Sequence, residues 1–209
     1  TEDYYLYKQY IEILRELLNE CGVNTNKIKQ GDIPVFYNEY KLRTFENINH
    51  EVFVSKELFK NKEYQKFKYV INQIIEKAKT GNNLNMYLLK SIKDNIIKPD
   101  KMLNDWGVVH LHLGDKEKNG YVNRTKELLF IYRDNQDKTK LYILDIFSHG
   151  DWSMKKTIEI LRNNWKNAIE KYRTKGITDV YPKLDDDGHK QIRDINANAP
   201  IVIENDSYL

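Results

Sequence analysis

The segment Trp106-Gly-Val-Val-His-Leu-His-Leu-Gly114 and the later Ser148-His-Gly-Asp-Trp152 hold three of the chain's five histidines. In an extended strand successive side chains alternate faces, so Trp106, Val108, His110 and His112 share one face, and Val109, Leu111 and Leu113 share the other. The second set reads as a core face, which predicts an open face carrying two imidazoles about 7 Å apart. Imidazole titrates near neutrality and suits proton transfer in either direction. Cleaving RNA without a metal needs a base for the 2′-hydroxyl, an acid for the leaving 5′-oxygen and a cation for the phosphoryl charge. His110 and His112 supply the first two in an order left open, with His149 supporting either role. Arg124 supplies the third through its fork of donors. Lys126, Tyr132 and Trp152 complete the candidate set as substrate-binding residues. The rival chemistry is a three-histidine metal site built from His110, His112 and His149 with one open position, as in catalytic zinc centres.

The elements that must hold these residues follow from periodicity. Residues 106–113, 127–133 and 140–148 read as strands, rich in β-branched and aromatic residues. Asp134-Asn-Gln-Asp-Lys138 is a turn-rich link between the second and third, while 114–126 is a longer polar link. Short returns imply an antiparallel meander. After it, Ile158, Ile160, Leu161, Trp165, Ile169 and Tyr172 fall at helical spacing, predicting a helix over 152–172 against one sheet face. Upstream, residues 4–20 carry Leu6, Tyr10, Ile13, Leu14, Leu17 and Leu18 at helical spacing, closed by Cys21-Gly22. Val35-Phe-Tyr37 and Glu51-Val-Phe-Val54 read as extended. Ser55 is a plausible N-cap for one long helix reaching Gly81, and 84–97 reads as a further helix. The tail from Gly176 is loop-like, with a short helical piece around 188–197. Helices followed by strands, without βαβ alternation, predict an α+β fold. The expected organisation is a helical region 1–100, a small antiparallel sheet plus helix over 101–175, and a tail over 176–209 packed on the core.

Composition sets the bounds. The 209 residues are 40% hydrophobic and 31% charged, with four Pro and nine Gly, as in a folded chain. The single cysteine, Cys21, forms no internal disulfide and points to a reducing compartment, so a cytoplasmic location is expected. No apolar run approaches the roughly 18 residues of a membrane span, and the first 20 residues lack a signal-peptide apolar core. A net charge of +3 permits a nucleic-acid partner without demanding one. Fifteen tyrosines, many beside Lys or Arg, offer stacking surfaces for bases. Cys21 is far in sequence from every histidine, which argues against cysteine nucleophilic chemistry, and a phosphate-binding glycine loop is absent. Leu184-Asp-Asp-Asp-Gly188 lacks the spacing and terminal Glu of a calcium loop.

The stretch from His112-Leu-Gly-Asp115 through Leu128-Leu-Phe-Ile-Tyr132, Asp134-Asn-Gln-Asp137 and Lys140-Leu-Tyr-Ile-Leu-Asp-Ile146 to His149 resembles the terminal sheet of RelE/ParE-type toxins. With its paired histidines it also resembles the wider superfamily of small RNases that includes barnase, EndoU and the colicin tRNases. The resemblance covers about residues 104–165. It implies a RelE-like meander, metal-independent endoribonuclease activity of toxin or phage-defence type with no cofactor, and RNA as substrate. An antitoxin or a sensor protein is the implied regulatory partner. The hundred residues before the sheet and the insertion at 115–123 depart from that family.

Overall fold

The computed structural model describes residues 2–93, 100–148, 154–195 and 197–209. Helix α1 (Glu2–Glu20) buries Ile11, Leu14 and Leu18 and stops where Gly22 takes φ +78°. There the Val23 N–H donates to the Leu18 carbonyl and the Gly22 N–H to that of Asn19, a C-cap that needs a left-handed residue. Against it lies α2 (Ile33–Arg43), with Pro34 in its first turn and Ile33, Phe36 and Tyr40 buried. The extended reading of Val35–Tyr37 is thereby corrected. β-rich residue types yield to the apolar spacing of Ile33, Phe36 and Tyr40, which buries only as a helix.

Strand β1 (Glu51–Val54) is followed by α3 (Lys56–Lys60), capped by the Ser55 hydroxyl, which accepts the Leu58 N–H at 3.1 Å. The single long helix expected from Ser55 is two helices, α3 and α4 (Tyr64–Lys79), because Asn61 turns to an extended conformation between them. Its side-chain oxygen accepts the Glu63 N–H at 2.9 Å, and its amide is bonded across to the sheet. The helix expected over 84–97 is two 3₁₀ turns, Asn85–Tyr87 and Lys90–Lys93, the rest lying outside the described residues. Asn85 bonds the Phe45 N–H and carbonyl at 2.7 and 2.9 Å, tying this segment down by tertiary contacts.

Helix α5 (Lys101–Trp106) is N-capped by Asp100, whose carboxylate accepts the Leu103 N–H at 3.2 Å. It ends at Gly107, φ +66°, so the strand expected from Trp106 begins two residues later as β2 (Val108–His112). The polar link then forms a small hairpin, β3 (Glu117–Lys118) and β4 (Tyr121–Val122), turned at Asn119 and Gly120, both with positive φ. Strands β5 (Glu127–Arg133) and β6 (Lys140–Ser148) follow at the expected positions. The α6 helix (Met154–Ile169), α7 (Asp186–Asp194), and a hairpin of β7 (Ile201–Ile203) and β8 (Asp206–Tyr208) complete the chain. That last hairpin was not anticipated in the tail.

The main sheet runs β1-β6-β5-β2. β2, β5 and β6 form the anticipated antiparallel meander, but β1 joins β6 in parallel, Glu51 opposite Lys140 through Val54 opposite Ile143. The fold is therefore mixed α/β around a small mixed sheet, and the purely antiparallel expectation is corrected. Both faces of the sheet are covered. On one, Val109, Leu111, Leu129, Ile131, Leu141 and Ile143 pack on Phe67, Val70, Ile71 and Ile74 of α4. On the other, Val108, Leu128, Phe130, Tyr132, Tyr142 and Leu144 pack on Ile158, Leu161 and Ile169 of α6 and on Ile201 and Tyr208. Among the described residues no helix is long and apolar enough to cross a membrane.

Candidate functional site

The two histidines of β2 share a face, as strand alternation requires, but that face is the second core and not an open surface. In register, His110 lies opposite Phe130 and His112 opposite Leu128, both core residues. His112 is 4% exposed. Its Nδ1 accepts the Thr125 backbone N–H at 3.2 Å, so the neutral imidazole carries its proton on Nε2. Thr125 is fixed in turn: its hydroxyl accepts the Leu113 N–H at 2.9 Å and donates to the Glu127 carbonyl at 2.6 Å. This threonine locks the loop between β4 and β5 onto the end of β2, and it holds exposed Arg124 and Lys126 on either side.

His110 is half-buried, its ring 5.8 Å from that of Phe130. Because β2 is the edge strand, His110 and Val109 also line a small cleft along that edge. Leu88, Leu89, Ile92 and Leu103 form its apolar walls, and Arg43 and Asp100 its charged groups. Arg43 comes from the last turn of α2, where Glu39 holds its guanidinium at 3.2 Å. Asp100 is placed by capping α5. Arg43, Asp100 and His110 thus line one apolar-walled cleft. Arg43 and Asp100 were not among the residues the sequence pointed to.

The sheet register brings the start of β5 and the end of β6 to the same end of the sheet as His112. Glu127 pairs with Ser148, so β5 starts where β6 ends, and β2 reaches the same level one strand over. His149 and Trp152, with Asp151, lie outside the described residues. Tyr132 is a clear correction. It is fully buried, its hydroxyl donates to the Ala168 carbonyl at 2.9 Å, and burial raises its phenol well above the usual range. It cannot stack on a base. Among the described residues no three His, Cys, Asp or Glu side chains group as a metal site.

Asp145 is a second buried polar feature of the sheet. It lies at a β-bulge where the β5–β6 register shifts, and it is 4% exposed. The Asn61 amide donates to its Oδ1 at 2.7 Å and the Ile146 N–H at 2.8 Å. Burial raises its carboxyl above the ordinary range, and those two hydrogen bonds only partly offset the rise. Comparison with protein families, with curated proteins and with solved structures returns no match for this chain.

Proposed function

We propose that the protein is a metal-independent endoribonuclease of bacterial toxin or phage-defence type, acting by 2′-hydroxyl attack at the edge and end of β2. The observation that carries the reading is that His110, two residues along the strand from His112, lines one cleft with Arg43 and Asp100. In this reading His110 takes the 2′-hydroxyl proton. The 2′-oxygen bonds to phosphorus, and the 5′-oxygen leaves with a proton. His149, expected from the sequence only to support either role, takes the part of the acid here and donates that proton to the leaving 5′-oxygen.

His112 has a different part. It is buried with its Nε2 inside the core, and through the Thr125 N–H on Nδ1 it positions the loop that carries Arg124 and Lys126 without touching the substrate. Arg124 and Lys126 on the adjoining loop counter the charge of flanking phosphates. No cofactor takes part. The substrate is RNA, and an antitoxin or sensor protein is the proposed regulator in a cytoplasmic setting.

The test is cleavage of a labelled RNA by the purified chain with and without EDTA. Cleavage that survives the chelator, leaves 2′,3′-cyclic phosphate ends and falls about 10²–10⁴-fold in His110→Ala would support the proposal. Equal rates in wild type and His110→Ala would end it. A chelator-sensitive rate would favour the metal-dependent hydrolase instead. The near-complete burial of His112 favours one alternative, a non-catalytic binding protein on the same sheet. RNA bound but never cut would establish that one.

A further inference from the structure

Helix α1 carries two apolar stripes, and only one is used. Ile11, Leu14 and Leu18 are buried against α2. Leu6, Tyr10, Ile13 and Leu17 repeat at intervals of four, three and four residues, and all are exposed, Ile13 by 54%. At about 100° per residue the four fall within a band of roughly 60°, centred about 105° around the helix from the buried stripe. The band is about three turns long, which matches the spacing of a helix that docks one partner helix. Contiguous exposed apolar surface of this kind marks an interaction site, whereas scattered single residues do not.

The charges decide what it fits. Glu12, Glu16 and Glu20 recur every fourth residue and are exposed along the margin of the stripe away from α2. The cations of α1 do not balance them. Arg15 turns to the Thr25 and Ile28 carbonyls at 2.6 and 2.9 Å, and Lys8 lies over the Tyr4 ring at 4.9 Å. An anionic lipid surface would meet this carboxylate row with repulsion. An antiparallel second copy would set one row against the other. We infer that the outer face of α1 docks an amphipathic helix of a protein partner whose apolar stripe is flanked by Lys or Arg. The inference is independent of the RNase reading.

The probe is a fluorescent 18-residue helical peptide with Leu at the docking positions and Lys elsewhere, titrated into the full chain and compared with a Leu/Glu counterpart. The Leu/Lys peptide should bind, and the Leu/Glu peptide at least tenfold more weakly. Ile13→Ser with Leu17→Ser should weaken binding tenfold or more. Glu12→Gln, Glu16→Gln and Glu20→Gln together should weaken it and flatten its salt dependence. All these positions are exposed, so circular dichroism and thermal melting should match wild type and separate lost docking from lost folding. Equal binding of the Leu/Lys peptide to wild type and both variants would overturn the proposal, as would equal binding of the two peptides. Stripe-dependent binding to phosphatidylserine vesicles, or a wild-type dimer in sedimentation that Ile13→Ser abolishes, would replace it with a membrane or a second copy.

Discussion

The amide of Asn61 donates to the Asp145 carboxylate at 2.7 Å and, from the same nitrogen, to the Ile146 carbonyl at 2.9 Å. One side chain therefore both breaks the α3–α4 helix and holds the bulge of β6. Burial raises the Asp145 carboxyl, so the folded state holds its proton more tightly than the unfolded chain. Its stability contribution is full in acid and is lost as pH rises through the raised value, leaving a net cost at neutrality. Asp145→Asn keeps an acceptor for Asn61 and removes the buried charge. It should raise Tm at pH 7 by a few degrees, roughly 1 kcal/mol in a chain of this size. The gain should vanish toward pH 4, and thermal melts across that range measure it. A lower Tm at pH 7 would refute the account.

Breaking the tie from the other side should do the opposite. Asn61→Ala leaves the carboxylate without its side-chain donor and should cost about 1–3 kcal/mol in urea unfolding. A cost below a few tenths would mean the bond is incidental.

How much of this was legible in the sequence depends on how local each cause is. β5, β6 and α6 announced themselves because their apolar patterns are set by their own residues. The two-sided burial of the sheet was legible too: Leu128-Leu-Phe-Ile-Tyr132 is an unbroken apolar run, the mark of a strand covered on both faces. That signal outweighs the alternation in β2 that suggested an open face. The Asn61 break was not legible, because its cause is Asp145, far along the chain. Nor was the parallel β1–β6 pair, for which neither strand carries a local sign. In the candidate site, His110 and His112 stood out by spacing alone. Arg43 and Asp100 reach the cleft only through the docking of α2 and α5.

His50 is buried beside backbone groups of Lys138, Glu46 and Thr139. Burial lowers its basicity, the Arg133 charge adds to this, and backbone groups of Lys138, Glu46 and Thr139 pull the other way. A lowered imidazole contributes stability that is full above the unfolded value of about 6.5 and is lost as pH falls below it toward the folded value. Tm should therefore drop between pH 7 and pH 5, and His50→Gln should flatten that drop. An unchanged slope in the variant would assign the acid sensitivity elsewhere.

The Thr125–His112 bond predicts a spectroscopic signature. Nitrogen NMR should show the His112 Nδ1 accepting a hydrogen bond from the Thr125 N–H. His112→Ala strands the Thr125 N–H and should cost about 1–3 kcal/mol. A cost below a few tenths would mean that the bond does not hold the loop.

Gly107 joins α5 to β2 with φ +66°, and a Cβ there would lie 2.7 Å from the Arg133 carbonyl oxygen. Gly107→Ala should cost on the order of 1–3 kcal/mol in chemical denaturation and shift β2 at its start. A neutral result would show that this corner gives way freely.

Tyr132→Phe removes the bond to the Ala168 carbonyl and the hydroxyl's interaction with Tyr172. A loss of about 1 kcal/mol in stability is expected, with RNA affinity unchanged. Weakened RNA binding in a variant of normal stability would restore the residue as a binding surface.

The parallel pairing of β1 with β6 sets an order of events in biosynthesis. Ser55 is bonded through its hydroxyl to the Leu144 carbonyl, 89 residues later in the chain. Until β6 has emerged from the ribosome, β1 has no strand to pair with, and α3 has no sheet to lie on. Such distant contacts require a long loop to close before any bond repays it, which slows the search. The half-made chain is therefore expected to present Val52, Phe53 and Val54 unpaired, as an adhesive edge for chaperones or for another nascent copy.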